Sequence, residues 1–196
     1  TSIEWLPILA YHKIGTQKEL GITWITPSIF EKQIALLHSE KYQAISPNDL
    51  TEAIFGRKTL PKKPVMITFD DGYESCYTHA FPILKRYGFT ATIFMLAGYV
   101  GEWNFWDAKL GWKHFKHLSK EQIIDLSMEG FTFGSHGLNH LFLTIQPHKT
   151  IQTELQTSKS ILEDILQKPV DCFAYPYGNY NSKITQLVKE ANYRTA

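Results

Sequence analysis

Cysteine is almost missing from this chain of 196 residues. Cys76 and Cys172 stand far apart and without metal-ligand spacing, which excludes a disulfide framework and leaves them as small buried hydrophobes. An excess of charge is missing as well. Twenty Lys and Arg against nineteen Asp and Glu give a net charge of +1, so there is no electrostatic footprint for nucleic acid or an anionic membrane, and a neutral or weakly charged partner fits better. There is no apolar run of membrane length, no signal peptide, no repeat and no low-complexity segment, and nothing specifies an oligomeric state. The chain begins Thr1-Ser2-Ile3 without an initiator methionine and stops at Asn192-Tyr193-Arg194-Thr195-Ala196, which reads as the opening of a strand. The expectation is one domain over 1–196, truncated at one or both ends. What the chain does have is 43% hydrophobic and 14% aromatic content, enough to bury one sizeable core.

Strand and helix patterns alternate along it. Leu6 to His12 has the form of a buried strand. Thr26 followed by Pro27 opens a helix with Phe30, Ile34 and Leu37 on one face. A second strand is expected at Tyr42 to Ile45, then a helix from Ser46-Pro47 to Phe55. Val65 to Phe69 is the third strand, with a helix over Glu74 to Tyr87 ending on Gly88. Thr90 to Leu96 is the fourth. The connection from Gly98 to Leu118 carries Trp103, Trp106 and Trp112, too aromatic for an idle linker. Ser119 with Gln122 forms a capping box for a helix through Met128. A fifth strand at Phe131 to Ser135, a helix over Thr150 to Leu166, a sixth strand at Asp171 to Tyr175 and a helix over Ser182 to Glu190 complete the pattern.

Six such alternations predict an α/β protein with parallel strands. His12, Asp70-Asp71, His136 and the Tyr175-Pro176-Tyr177-Gly178 turn all fall just past C-terminal strand ends. A barrel gathers such ends round one mouth, whereas an open sheet spreads them along an edge. A complete eight-fold barrel takes about 250 residues, so the expectation is a smaller or incomplete (β/α) barrel of parallel strands.

The third strand ends in two adjacent carboxylates, Asp70 and Asp71, and Gly72. One reading makes an acid the cap of the following helix. The other gives the two acids separate duties, one on a metal and one on a proton. His136-Gly137-Leu138-Asn139-His140 sets two imidazoles at a spacing that one helical turn would aim at a single point, although a surface pair on a loop is the alternative. Two histidines with one carboxylate would leave a zinc-like ion an open position for water, the arrangement of a hydrolytic site, and the second aspartate would serve as base. His114 and His117 sit among lysines and are read as facing water. His38, His79 and His148 are read as surface residues.

Thr68-Phe69-Asp70-Asp71-Gly72, His136-x-x-x-His140 and Phe173-Ala174-Tyr175-Pro176-Tyr177-Gly178, in that order, resemble the first three motifs of the polysaccharide deacetylase family of carbohydrate esterases. The opening Leu6 to His12, and the helix–strand–helix that follows it, resemble the circularly permuted branch acting on poly-N-acetylglucosamine. The resemblance implies a distorted barrel of about seven strands. It implies that Asp71, His136 and His140 bind a divalent metal, usually Zn2+, that Asp70 is the general base, and that the Tyr177 backbone N–H helps hold the oxyanion. The family's late Leu-x-His motif is absent after Tyr180, and His12 takes the general-acid role in the permuted branch. Tyr175 and Pro176 would line the substrate, and Trp106, beside Asp107, would offer an aromatic face to a sugar ring. Two departures stand out. Gly137 replaces a usual Ser or Thr, and Ala174 replaces an arginine that orients the catalytic aspartate.

The expected function is a metal-dependent, secreted or envelope-associated hydrolase. It would remove N-acetyl groups from N-acetylglucosamine units of a polysaccharide such as poly-N-acetylglucosamine. A deacetylase of peptidoglycan or chitin oligomers, an amidohydrolase on a small non-sugar amide, and a catalytically silent carbohydrate-binding module are the rivals.

Overall fold

The structure is a computed structural model that describes residues 5–16, 23–105 and 114–196. Its centre is β5 (Pro64–Phe69), buried from Val65 to Phe69. Parallel partners lie on both sides of it: β1 (Ile8–Tyr11) in register Ile8 to Met66 through Tyr11 to Phe69, and β6 (Thr92–Met95) pairing Thr68 with Thr92. Both faces are covered as well, since every residue from Val65 to Phe69 is buried, which is why the sequence is almost wholly apolar rather than alternating. β7 (Thr132–Ser135) follows β6, and parallel bridges from Ser135 to Phe173 and from Cys172 to Thr195 carry the order on. Among the described residues no pairing closes the sheet back onto β1, so the barrel is incomplete, as expected. Because the strands are parallel, their C-terminal ends share one side.

Three helices begin where the caps predict. Thr26 accepts from Ile29 N at the start of α1 (Pro27–Ser39), and Ser46 forms a capping box with Asp49 ahead of α2 (Pro47–Ile54). Counting α3 (Phe81–Tyr87), Ser119 and Gln122 box the start of α4 (Lys120–Met128). The long α5 (His148–Leu166) and α6 (Ser182–Glu190) complete the shell. Tyr11, Phe30 and Phe69 pack ring against ring, with centroids 5.0–5.8 Å apart, and tie α1 to the sheet. Cys76 and Cys172 are free and buried, as read from the sequence.

The structure departs from the sequence reading at several elements. β1 is not a buried strand: Ile8 is 57% exposed, because β1 pairs only with β5 among the described residues. Tyr42 to Ile45 shrinks to β4 (Gln43–Ala44), pairing with the first residues of β5. The expected sixth strand is reduced to the single bridges at Cys172 and Phe173. The helix expected over Glu74 to Tyr87 is present, but its first part, Cys76–Ala80, is wound as a π turn that runs straight into α3. Pro82 has no N–H to give back to that turn, which favours the wider winding. β2 (Lys13–Ile14) and β3 (Trp24–Ile25), a short parallel pair just beyond His12, were not foreseen.

Candidate active site

Asp71, His136 and His140 come together at the C-terminal strand ends, each offering one ligand atom within 4.8 Å of the others. Asp71 Oδ1 is 3.6 Å from His136 Nε2 and 3.4 Å from His140 Nε2, and all three side chains are buried. Neither acid caps a helix: the π turn after them has Ser75 at its N-cap, without a side-chain bond. Gly72 follows them with φ 71°, and a Cβ there would meet Met95 Sδ at 2.2 Å. The strand therefore turns sharply under Met95, and only glycine fits the turn.

The donor set fits a divalent cation. His136 Nδ1 donates to the carbonyl of Ala174 at 2.9 Å, which fixes the proton on that nitrogen and leaves the Nε2 lone pair facing a carboxylate oxygen. Burial lowers the His136 pKa to about 4. His140 falls to about 3 through burial, with the positive forms of His136, His12 and His117 adding to the effect. The His136 lone pair, the Asp71 carboxylate and the neutral His140 imidazole converge on one point, a donor set suited to a divalent cation. Ala174 lacks the expected arginine, yet its backbone orients a histidine instead.

Asp70 sits one residue before the cluster, its N–H donating to the Tyr11 carbonyl at 2.9 Å. That bond ties the end of β5 to the end of β1 and so sets Asp70 beside His12, which lies between β1 and β2. Burial raises the Asp70 pKa to about 6. Among the described residues no hydrogen bond to its carboxylate replaces the missing arginine. A dication held by Asp71 would draw this pKa back down. His12 is half-buried, and burial together with the Lys13 charge lowers its pKa. Tyr11 points into the core.

The histidine pair is not on a helical turn. Residues 136–140 form an irregular loop with Gly137 at φ 86° and His140 at φ 57°, so the convergence comes from the loop's path rather than from helical spacing. The third motif is a 3-10 turn, Pro176–Gly178, in which Tyr177 is also left-handed at φ 59°. The Tyr177 ring lies 4.3 Å from that of His140 and stacks on Phe142 at 3.8 Å. Tyr175 stacks on Tyr180 at 5.0 Å, and Pro176 is buried beneath the turn. Trp106 and its neighbour Asp107 lie outside the described residues.

Several residues around the site escaped the sequence reading. His117 does not face water: it is fully buried, stacked on Tyr73, with Nδ1 bonded to the Glu102 carbonyl. Lys13 is buried over the rings of Tyr73 and Phe115. Glu154, buried on α5, accepts hydrogen bonds from the loop between the two histidines. Its signal was available, since Glu154 and Ser158 fall on the same helical face as Ile151, Leu155 and Leu162.

Comparison with known proteins decides the family. The polysaccharide deacetylase sequence model matches residues 57–196. The chain belongs to the polysaccharide deacetylase family. It is 31% identical over 188 residues to a poly-beta-1,6-N-acetyl-D-glucosamine N-deacetylase of Staphylococcus aureus, a match covering 90% of this chain and 61% of the relative. The chain thus spans about three fifths of the length of the curated relatives it matches. Among solved structures it is similar to the Streptococcus pyogenes deacetylase PplD in complex with acetate, at 29% identity and a TM-score of 0.84, over 96% of this chain and 80% of that one. It also resembles IcaB from Ammonifex degensii, at 26% identity and a TM-score of 0.80, over 96% and 81%. Family membership accounts for the mostly parallel, incompletely closed α/β architecture, and the Asp-His-His cluster is this chain's candidate for the metal dependence of polysaccharide deacetylases.

Proposed function

We propose that this chain is the catalytic part of a zinc-dependent N-deacetylase. It removes acetate from N-acetylglucosamine units of an extracellular polysaccharide, with poly-N-acetylglucosamine as the favoured substrate. The observation that carries the proposal is the convergence of Asp71, His136 and His140 on one point, with Asp70 and His12 on adjoining strand ends, in a chain of this family. The name of the Staphylococcus aureus relative supports the choice of polymer, and a secreted or envelope location is part of the same proposal.

Asp71, His136 and His140 would hold the ion, which, when bound, would acidify a water and polarise the amide carbonyl. Asp70 takes the proton from the attacking water at its carboxylate, and the Tyr177 backbone N–H donates to the oxygen on which negative charge develops. His12 delivers a proton to the departing nitrogen, so the C–N bond breaks to give acetate and a free amine. Burial and the Lys13 charge hold its pKa below the ordinary histidine value, so the protonated form this step needs grows as the pH falls. Tyr175 and the exposed ring of Tyr177, 52% accessible, line the approach with the kind of apolar surface that a pyranose face covers, while Pro176, expected at the substrate, is buried and supports the turn that carries them.

The test is to purify the protein with and without zinc and to measure acetate released from N-acetylglucosamine oligomers. Zinc-loaded protein should release acetate, and Asp70→Asn should lose turnover while keeping its zinc. Loaded protein that binds oligomers but frees no acetate would show a binding module instead.

A further inference from the structure

Glu154 is a carboxylate buried to 1% exposure, on the core face of α5. Such a group is costly to bury unless donors saturate it. Here the donors come from one short segment. Oε2 accepts the backbone N–H groups of Leu138 at 2.8 Å and Asn139 at 2.9 Å, and Oε1 accepts Asn139 Nδ2 at 2.8 Å. Leu138 and Asn139 lie between His136 and His140.

The opposite edge of this loop is held by backbone. Ala97 N donates to the Gly137 carbonyl and Gly98 N to that of Leu138, both at 3.0 Å. Gly137 N donates to Ser135 Oγ at 3.1 Å. The outward N–H groups at 138 and 139 therefore depend on one side chain. Immediately after them the chain enters the left-handed conformation at His140, which L-residues hold only when their surroundings impose it.

Gly137 completes the arrangement. A Cβ at this position would lie 3.0 Å from Glu154 Oε2, on a backbone already at φ 86°. The Ser or Thr usual in the family would thus press on the carboxylate, so the glycine and the buried acid belong together.

We infer that Glu154 is a positioning residue of the metal site, its carboxylate gripping the 138–139 backbone so that His140 is aimed at the point where His136 and Asp71 converge. The inference rests on the reading of those three residues as metal ligands. Glu154 touches neither ion nor substrate, and acts through the loop.

Zinc affinity, measured by competition with a chelating dye, tests this beside the thermal unfolding of the metal-free protein. Glu154→Ala should fold and bind zinc about 10–100-fold more weakly, the usual penalty for losing an outer partner of a ligand. Glu154→Gln keeps an oxygen for the two backbone donors, and Asn139 can turn its amide to match, so most of the affinity should return. Gly137→Ala displaces the carboxylate without altering it and should weaken zinc about 10-fold, on the same reasoning. A folded Glu154→Ala protein with wild-type zinc affinity overturns the inference. Should that variant not fold, a folded Gly137→Ala protein with unchanged affinity does the same. Wild-type protein that takes up no zinc would instead sink the metal-site reading itself.

Discussion

Substituting Gly72 by alanine should damage the site through its backbone rather than through its chemistry. The new Cβ would meet Met95 Sδ at 2.2 Å and Cε at 2.7 Å, on a backbone at φ 71°. Holding an L-residue in the left-handed region costs about 1 kcal/mol. Pushing aside a fully buried methionine adds about 1–3 kcal/mol, the usual range for overpacking. The sum is about 2–4 kcal/mol, and for a domain of this size it lowers Tm by about 5–15 °C. The displaced residue also matters for function, since the Met95 carbonyl accepts the His136 N–H at 2.8 Å, and zinc affinity should fall with stability. A double-mutant cycle with Met95→Ala isolates the clash. Truncating Met95 makes room for the methyl group, so Gly72→Ala in that background should cost only its conformational part, leaving a coupling of about 1–3 kcal/mol. Thermal unfolding of the four metal-free proteins gives this number. A cost below about 1 kcal/mol in the wild-type background, or one that Met95→Ala leaves unchanged, would refute the reasoning, because both figures follow from the left-handed turn lying under Met95.

Two further outcomes separate the roles of the site residues. His12→Ala should keep its zinc and lose about 10²–10⁴-fold in turnover, the range for removing a general acid; loss of zinc on elemental analysis would make His12 a ligand instead. Zinc at about 100 times its dissociation constant should stabilise the protein by about 2.7 kcal/mol, raising Tm by about 5–10 °C. Asp71→Asn should show little of that rise, and a full rise in this variant would remove Asp71 from the ligand set.

Whatever nearest neighbours dictate could be read in the sequence. Caps at Thr26, Ser46 and Ser119, the apolar run of β5 and its abrupt acidic end are local signals, and the structure honours each of them. The readings that missed depend on partners distant in sequence. Ile8 is exposed because of what lies beside β1, and His117 is buried because Tyr73 stacks on it. The histidine spacing suggested a helical turn, but the loop's path is set by Glu154, whose bond to Leu138 spans 16 residues. The left-handed backbone shows the same division. Of the non-glycine residues with positive φ among the described ones, Lys41, Gln167 and Asn192 end helices, where such a conformation is routine. Asp71, His140 and Tyr177 end none. Each carries a local cost away from any helix end, and each stands at the mouth where the acid pair, the histidine loop and the tyrosine turn meet. Backbone held against its own preference needs a tertiary frame to hold it. The motifs could therefore reveal which residues meet, while the strain by which they meet belongs to contacts with Met95, Glu154 and Phe142.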